Sequence, residues 1–415
     1  MTQTSDQETT GSGARRAALR MMDAVLRRGE TLDNAGHAAT QGLKSREDKA
    51  LARALAGEAL RWMADLDALI DSATQQILPE DAKPRAVLRL MLAGWMRLGT
   101  PPHAVVATGL DLLQGGPRRL AHGVFSTLVK RAVTLPEAPT LPERAALRWG
   151  DKGAGIAVGL AVPPPLDLTL RDPSQTEFWA EKLGGVSLMP GHVRLARGSA
   201  VEKLEGYDEG AWWVQDLAAG IPARLIGAGM GRALDLCAAP GGKTMQLAAM
   251  GWDVTALDLS PKRLKVVGDN LKRTGLNAEC IQGDALVWEP EGRFDAILID
   301  APCTATGTAR RHPDVLHRIG PRQIADMADI QQRLIERAAA WLNPGGRLVY
   351  AVCSLEREEG RDQAAAFTGL PGEAVLPGEL PAGVEPTSEG WVKTDPGMLG
   401  DVGGLDGFFV ARWKK

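Results

Sequence analysis

The stretch LDLCAAPGGKT, residues 234–244, decides how the second half of this 415-residue chain folds. Its apolar start is typical of a buried strand, and Pro240, Gly241 and Gly242 then turn the chain into a predicted helix. Glycines let a ligand approach the backbone, and a helix start offers free N–H groups. The spacing is neither GxGxxG nor the Walker sequence GxxxxGK[ST], which disfavours both pyrophosphate-binding sites. A plain strand-to-helix turn is the simpler interpretation of this stretch alone.

The sequence that follows alternates between strands and helices. The predicted strands are RALDLC, DVTALDL, AECIQGDA, FDAILIDAP, RLVYAVCS and GFFVARW, and helices are predicted from Gly242, from Pro261 and from Pro321 to Leu342. Such alternation is typical of a doubly wound, mostly parallel sheet that binds ligands at the carboxyl ends of its strands. We therefore predict an α/β domain over residues 231–415.

The sequence in front of this domain has a different pattern. Residues 15–133 place apolar residues at helical spacing in four segments: ARRAALRMMDAVLRRG, DKALARALAGEALRWMADLDALIDSAT, KPRAVLRLMLAGWMRLG and RLAHGVFSTLVKRAV. These predict an all-α domain of five or more helices. Residues 1–14 are predicted to be a disordered N-terminus and residues 134–164 a proline-rich linker. Residues 165–230 should form a small α+β segment with strands at PLDLTL, HVRLA and AWWVQD.

Composition sets limits on the class of protein. Hydrophobic residues make up 44% of the chain and charged residues 24%, and the formal net charge is −3, as in ordinary globular proteins without an overall basic signature. The start of the chain has no apolar signal segment, and no apolar run reaches the roughly 18 residues of a membrane span. We expect a cytoplasmic protein with no membrane partner. Four cysteines at no metal-ligand spacing predict reduced thiols and no metal site.

Three aspartates mark the ends of successive predicted strands. Asp258 ends ALDLS, Asp284 lies in QGDA, and Asp300 closes LID. A single Asp at a strand end is usually a helix cap. Three in successive strands instead outline a pocket for an adenosine-type cofactor, with Asp258 positioned to accept hydrogen bonds from a ribose diol.

Two cysteines follow strands that end in the same predicted cleft. Cys303 follows Asp300 in DAPCTATGTARRHPD, and Cys353 lies in YAVCSLEREEG. A thiol at a strand's carboxyl end beside a cofactor pocket is expected to have a lowered pKa and to act as a nucleophile. We interpret Cys280 as a buried core residue and Cys237 as a loop residue that contributes mainly its backbone.

Several long motifs together carry a resemblance. LDLCAAPGGKT, ALDLS, GDA, DAPCTATGTARRHPD, YAVCSLEREEG and DGFF resemble the RNA 5-methylcytosine methyltransferases of the NOL1/NOP2/Sun family. The helical part, with PHAVVATGLDLL and GVFSTLVKRA, is similar to the NusB-like RNA-binding domain. The resemblance covers about residues 15–415. It implies a Rossmann-like methyltransferase domain that uses S-adenosyl-L-methionine, and the domain order implies small-subunit ribosomal RNA as the partner, with no DNA.

The resemblance also implies roles for individual residues. The cofactor loop would consist of seven consecutive residues: Cys237, Ala238, Ala239, Pro240, Gly241, Gly242 and Lys243. Asp258 would bind the ribose, Asp284 the adenine region, and Asp300 would serve both the cofactor site and catalysis. Cys353 would add to carbon 6 of a cytosine as the nucleophile, and Cys303 would assist its release.

Other positions are less decided by the resemblance. Val352 stands where the family commonly has threonine before the nucleophile. The cations of RRHP, residues 310–313, are expected to contact the RNA backbone, although solvated surface charge is the simpler interpretation. Trp212 and Trp213 are candidates for stacking on a base, with at least one of them expected in the core.

Three alternatives stand beside an rRNA methyltransferase. The same chemistry could act on transfer RNA. A DNA cytosine methyltransferase would use the Pro-Cys thiol as nucleophile and would need a later Glu-Asn-Val motif, which the sequence lacks. An RNA-binding assembly factor could keep the methyltransferase domain as a scaffold. Nothing in the sequence indicates an obligate partner subunit, so we expect a monomer.

Overall fold

The computed structural model describes residues 11–198 and 200–415, and these residues divide into two compact units. The helical unit extends to Ala161 and also contains Arg311–Ile319. The sheet unit takes the rest of the described chain, from Val162 onward. Within the described residues, no helix is long and apolar enough to cross a membrane.

Helices and strands are numbered here in chain order. The helices are α1 (Ser12–Arg28), α2 (Leu32–Ala39), α3 (Arg46–Arg61), α4 (Met63–Ser72), α5 (Lys83–Met96), α6 (Pro102–Gly109), α7 (Gly115–Lys130), α8 (Glu143–Trp149), α9 (Gly153–Leu160), α10 (Thr176–Lys182), α11 (Leu217–Ile226), α12 (Gly242–Ala249), α13 (Pro261–Thr274), α14 (Val315–Arg318), α15 (Pro321–Trp341) and α16 (Arg361–Ala366). The strands are β1 (Leu166–Leu170), β2 (His192–Leu195), β3 (Trp212–Val214), β4 (Arg232–Leu236), β5 (Asp253–Asp258), β6 (Glu279–Gln282), β7 (Phe294–Asp300), β8 (Leu342–Val352), β9 (Val392–Lys393) and β10 (Phe409–Lys414). Helices α1–α9 and α14 belong to the helical unit, and all of the strands belong to the sheet unit.

Helix α1 shows how the periodic segments of the helical unit become helices. Its apolar residues recur every three or four positions, so they share one face, and the residues buried there include Ala14, Ala17, Ala18, Met21, Met22 and Val25. The helix ends because Gly29 adopts φ 67°, a left-handed conformation that glycine takes without steric cost. Its N–H then donates to the Val25 carbonyl oxygen at 3.1 Å.

One of the four segments with helical spacing forms two helices in the structure. The segment DKALARALAGEALRWMADLDALIDSAT forms α3 and α4, because Trp62 leaves helical geometry at φ −103° and ψ 17°. The Trp62 side chain is buried, and the Arg97 guanidinium lies 4.6 Å from its ring centroid. Apolar spacing is helical on both sides of the break, so the sequence pattern could not locate it.

The expected linker and N-terminus differ from the structure. Residues 1–10 of the expected disordered N-terminus lie outside the described residues, whereas α1 already begins at Ser12. The proline-rich segment contains α8 and α9 and clusters with the helical unit, so residues 134–164 are not a linker along their whole length. Asp65 in α4 helps to hold this segment on the helical unit. Its carboxylate accepts hydrogen bonds from the Thr140 N–H at 2.9 Å and the Thr140 hydroxyl at 2.6 Å.

The sheet unit begins with a small antiparallel sheet in the order β2-β1-β3, and its three strands match those predicted. A buried ion pair holds its centre. The Arg194 guanidinium donates to both oxygens of Asp167 at 2.6 and 2.7 Å, the bidentate geometry that arginine favours with carboxylates. Burial opposes ionisation of Asp167, but Arg194 and His192 together lower the pKa of that carboxyl well below its usual range.

The second sheet confirms the predicted α/β architecture. Seven strands run in the order β6-β5-β4-β7-β8-β10-β9, in which β6, β5, β4, β7 and β8 are parallel neighbours and β10 pairs antiparallel with β8 and β9. The chain moves outward from β4 to β5 and β6, then returns to β7 on the other side of β4. This reversal creates a crevice at the carboxyl ends of β4 and β7, the place where open α/β sheets bind ligands.

Candidate active site

The glycine loop between β4 and α12 forms the strand-to-helix turn that its sequence predicted. Cys237 has φ 63° and Gly241 has φ 100°, so the chain turns sharply before the first turn of α12. The Ala238 N–H donates to the Leu257 carbonyl oxygen at 3.1 Å, which ties the loop to β5. Burial, reinforced by nearby carboxylates, raises the pKa of the Cys237 thiol to about 12. A thiol that keeps its proton is a poor nucleophile, which agrees with a backbone role for Cys237.

Asp258 and Asp284 both lie at the carboxyl ends of strands, and both also hold local turns. Asp258 is 4% exposed, and its two oxygens accept backbone hydrogen bonds from Ala239 at 3.0 Å and Ser260 at 2.9 Å. Asp284 is half-buried and accepts a hydrogen bond from the Leu286 N–H at 2.9 Å. Carboxylate oxygens have several lone pairs, so these turns leave capacity for a ligand. Ribose and adenine binding by the two residues stay predictions.

Asp300 at the end of β7 pairs with Lys243 in the first turn of α12. The Lys243 Nζ lies 2.8 Å from Oδ2 of Asp300 and 5.4 Å from the centroid of the Phe408 ring. Burial lowers the pKa of Lys243, but the Asp300 carboxylate outweighs it, so the net pKa is raised and the ammonium stays charged. The pair spans the crevice between β4 and β7.

Asp235, inside β4, is a buried carboxyl that the sequence analysis did not single out. Its Oδ2 accepts a hydrogen bond from the Thr244 hydroxyl at 2.6 Å, and its Oδ1 has no hydrogen-bond partner among the described residues. Burial raises the pKa of Asp235 from 3.8 to about 7, and the Thr244 hydrogen bond only partly opposes this. Asp235 is part of the predicted strand, and an alternating pattern cannot show that a polar residue faces a closed interior.

Cys303 and Cys353 meet where β7 and β8 end. Their sulfur atoms lie 3.4 Å apart, so one thiol can donate a hydrogen bond to the other sulfur. This hydrogen bond, burial and the nearby charges of Cys353 and Glu359 raise the pKa of Cys303 well above its usual range. The prediction of a lowered pKa is therefore wrong for Cys303. Val352, which precedes the second thiol, is fully buried, so its side chain packs in the core.

Expectations about several neighbouring residues are wrong, although at least one of Trp212 and Trp213 was expected in the core and both lie there. Cys280 is exposed rather than buried, because β6 is an edge strand of the sheet. Trp212 and Trp213 are 0% and 3% exposed, so neither can stack on a base. Arg310 is also buried and donates to the Gly403 carbonyl oxygen at 3.1 Å, so it does not face the RNA backbone.

Glu359 is a further residue that the sequence analysis missed. It stands in LEREEG among three glutamates, of which Glu356 and Glu359 are buried and Glu358 is exposed. Charge alone predicts a solvated run. Only its position behind the two thiols distinguishes Glu359, and no local pattern of the sequence carries that information.

Comparisons with known proteins match the helical part and the α/β part of the chain to two different family models. A family model described as 16S rRNA methyltransferase RsmB/F matches residues 228–413, and one described as NusB family matches residues 12–115. Ribosomal RNA small subunit methyltransferase B of Salmonella agona is 33% identical over 432 residues, which cover 96% of this chain and 97% of that protein.

Two solved structures share the fold. The crystal structure of PH0851 has a TM-score of 0.71 at 21% identity and covers 97% of this chain and 99% of its own. The crystal structure of NSun6 from Pyrococcus horikoshii with SFG has a TM-score of 0.57 at 18% identity, over 66% of this chain and 98% of its own. The fold therefore agrees with the sequence matches. With one third of its residues identical to a curated relative along nearly its whole length, the chain belongs to the 16S rRNA methyltransferase RsmB/F family.

Proposed function

We propose that this protein methylates carbon 5 of a cytosine in small-subunit ribosomal RNA, with S-adenosyl-L-methionine as the methyl donor and Cys353 as the nucleophile. The observation that carries the proposal is the 3.4 Å contact between the Cys303 and Cys353 sulfur atoms at the carboxyl ends of two neighbouring parallel strands. The Lys243–Asp300 ion pair lies at the end of the same strand as Cys303. The name of the Salmonella agona relative supports the choice of RNA.

The residues around β4 and β5 fit the proposed methyl donor. Asp258 is buried beside the glycine loop and has lone pairs left for a ribose diol, and the first turn of α12 presents N–H groups without intrahelical acceptors. When bound, S-adenosyl-L-methionine supplies an electrophilic methyl group on a positively charged sulfur. These residues would hold and orient it beside Asp300.

Cys353 attacks because carbon 5 of cytosine is a poor nucleophile until carbon 6 carries a thiolate. In the first half-reaction Cys353 loses its proton to solvent and its sulfur forms a bond to carbon 6; the π bond between carbons 5 and 6 opens, and carbon 5 becomes electron-rich enough to take a methyl group. Asp300, held by Lys243, accepts a hydrogen bond from the amino group of the cytosine and orients the ring, and the Lys243 ammonium offsets the negative charge that develops on the ring. The target base must be unstacked to reach the thiol, so we expect it in a loop or flipped out.

Cys303 acts in the second half-reaction. Its raised pKa keeps the proton on its sulfur while Cys353 is free, so Cys303 is a poor nucleophile in the resting site. Once the Cys353 sulfur is bonded to carbon 6, it no longer shares a proton with the Cys303 sulfur, and Cys303 can release its own proton to water. The Cys303 thiolate then accepts the proton from carbon 5, the electron pair of that C–H bond re-forms the double bond between carbons 5 and 6, and Cys353 leaves carbon 6 as a thiolate.

The test is methyl transfer from labelled S-adenosyl-L-methionine to unmodified small-subunit rRNA, with transfer RNA as a second substrate. We expect Cys353→Ala to lose roughly 10⁴-fold or more in rate and to form no covalent RNA adduct, as happens when a catalytic unit loses its nucleophile. Cys303→Ala should accumulate the adduct because release is blocked.

Each contrary result has a clear meaning. Transfer to transfer RNA alone would move the substrate assignment. Adduct formation by Cys353→Ala would exchange the roles of the two thiols. Absence of transfer to either RNA by the wild-type protein would overturn the catalytic proposal and favour an RNA-binding assembly factor.

A further inference from the structure

Glu359 is the buried carboxylate that lies behind the two thiols. It is 0% exposed and lies six residues after Cys353 in the segment that follows β8. Its Oε2 accepts hydrogen bonds from the Thr304 N–H at 2.9 Å and from Gln331 Nε2 at 3.0 Å. Its Oε1 accepts from the Ser354 hydroxyl at 2.8 Å and from the Thr304 hydroxyl. We call Glu359, Thr304, Gln331 and Ser354 the Glu359 network.

The network joins the residues that directly follow each cysteine. Thr304 follows Cys303, and Ser354 follows Cys353, yet the two segments are 50 positions apart in the chain. Glu359 binds both segments at once, in addition to the pairing of β7 with β8 that brings them together. Gln331 adds a third element, because its Nε2 also donates to the Pro302 carbonyl oxygen at 2.8 Å from α15.

The network uses both oxygens of the Glu359 carboxylate as acceptors. An ionised carboxylate is an acceptor only, with two oxygens and about four lone-pair sites, and here it receives four donors. Glutamine has a similar shape and keeps an acceptor for Thr304 N–H and Gln331, but its NH₂ group would turn the Ser354 and Thr304 hydroxyls from donors into acceptors and would remove the negative charge. Buried charged groups persist where hydrogen bonds compensate them, which this arrangement does.

Close backbone contacts support the same geometry from the other side of the loop. The Gly307 N–H donates to the Cys353 carbonyl oxygen at 3.0 Å, and the Gly407 N–H donates to the Gly307 carbonyl oxygen at 2.8 Å. The Cys303 loop is thus fixed on one side by backbone and on the other by Glu359. The 3.4 Å contact between the sulfur atoms lies within this frame.

We propose that Glu359 is a positioning residue for the two-thiol chemistry: it fixes the loops of Cys303 and Cys353 so that both sulfur atoms reach one cytosine. The proposal rests on the proposed function, since it gives Glu359 a role in that reaction. The Glu359 charge also contributes to the raised pKa of Cys303, after the Cys353 hydrogen bond and burial. Glu359 therefore acts on both the placement and the protonation of that thiol.

The experiment compares Glu359→Gln with wild type. Glu358→Gln serves as the matched control, because Glu358 is the preceding residue in the chain and its side chain is exposed. Small-subunit rRNA containing 5-fluorocytosine titrates the active sites, because fluorine at carbon 5 prevents proton abstraction and traps the adduct. With rates expressed per active site, we expect Glu359→Gln to lose on the order of 10²-fold in kcat, the effect of displacing a reacting group by about 1 Å. KM for S-adenosyl-L-methionine and for RNA should change by less than about threefold, since Glu359 contacts neither.

A second readout needs no methyl transfer. Initial rates of iodoacetamide alkylation at Cys303, followed by peptide mass spectrometry, give the pH midpoint of that thiol. We expect the midpoint of Glu359→Gln to move to lower pH, because both the carboxylate charge and the contact with the Cys353 sulfur weaken. Glu358→Gln should match wild type in both readouts. If Glu359→Gln does not fold, Ser354→Ala removes a single donor and should give a smaller loss of kcat in the same direction.

The outcomes separate the two proposals. A kcat per active site within twofold of wild type, with only a lower melting temperature or a smaller active fraction, would make Glu359 merely structural and overturn the inference. If wild type forms no adduct and transfers no methyl group, the proposed function fails. The alkylation midpoint then still decides whether Glu359 controls Cys303, and an unchanged midpoint would reject that control.

Discussion

The two halves of the cleft hold their shape by different means. The glycine-loop half, at the ends of β4 and β5, relies on backbone: Cys237 and Gly241 have positive φ, and Asp258 accepts two backbone hydrogen bonds. The thiol half, at the ends of β7 and β8, relies on Glu359, which receives donors from three separate segments. Local conformation thus shapes one half and a buried non-local charge shapes the other. An aspartate at a strand end can therefore be found from sequence, whereas a buried carboxylate that supports other segments cannot.

The strongest predicted effect is a pH dependence of stability that comes from Asp235, which is buried in β4 in the glycine-loop half. The pKa of Asp235 is raised from 3.8 to about 7, so between these pH values the folded protein holds a proton that the unfolded chain has released. Stability from this group is fully present below about pH 4 and is lost as pH rises through 7, by roughly 4 kcal/mol in total. Asp235→Asn should remove this loss. Urea unfolding of the sheet unit at pH 5 and pH 8 measures it, and an equal pH dependence in both proteins would contradict the assignment.

The next effect concerns the ion pair that joins the halves. Lys243→Met keeps the length of the side chain but removes the charge that holds Asp300. We expect kcat for methyl transfer to fall by about 10²–10³-fold, the usual consequence of losing preorganised electrostatics in an active site. The melting temperature should change less, because Asp300 is partly exposed and can be solvated.

Lys262→Met is the control for this variant, since Lys262 is an exposed residue at the start of α13. It should leave kcat unchanged. A kcat for Lys243→Met within fivefold of wild type would mean that Lys243 only stabilises the start of α12.

The smallest effect tests backbone packing in the thiol half. A Cβ on Gly307 would lie 2.0 Å from the Gly407 carbonyl oxygen, so Gly307→Ala must push two loops apart and should destabilise the protein by roughly 1–3 kcal/mol. Gly268→Ala, on an exposed face of α13 with nothing within 4 Å, should instead stabilise by about 0.5–1 kcal/mol through helix propensity. Thermal unfolding of both variants measures the contrast, and a neutral Gly307→Ala would show that the loops can separate without cost.

The sequence predicted which residues lie at the ends of the strands, but not which residues surround each of them in the folded protein. The strand ends at Asp258 and Asp300 follow from period and composition, because apolar runs that stop at a polar residue are visible in the chain itself. The interpretation of Cys280 failed because nothing in AECIQ tells an edge strand from a central one. The expectation that Arg310 contacts RNA was wrong for a similar reason. A cation in a loop can be solvated or buried against a carbonyl oxygen, and the sequence does not distinguish the two.

The alternation of strands and helices, the glycine loop, the position of the two cysteines at strand ends and the family could all be predicted from the sequence. These depend on residues that are close in the chain, where spacing and conformational preference are enough. Folding was needed to show that the Cys303 and Cys353 sulfur atoms are in contact, that the Lys243 ammonium is within 2.8 Å of Asp300, and that Glu359 hydrogen-bonds to the segments of both thiols. Most of those contacts join positions about 50 or more residues apart, and burial, which sets the strength of a charge and the pKa of a thiol, exists only once the chain has folded.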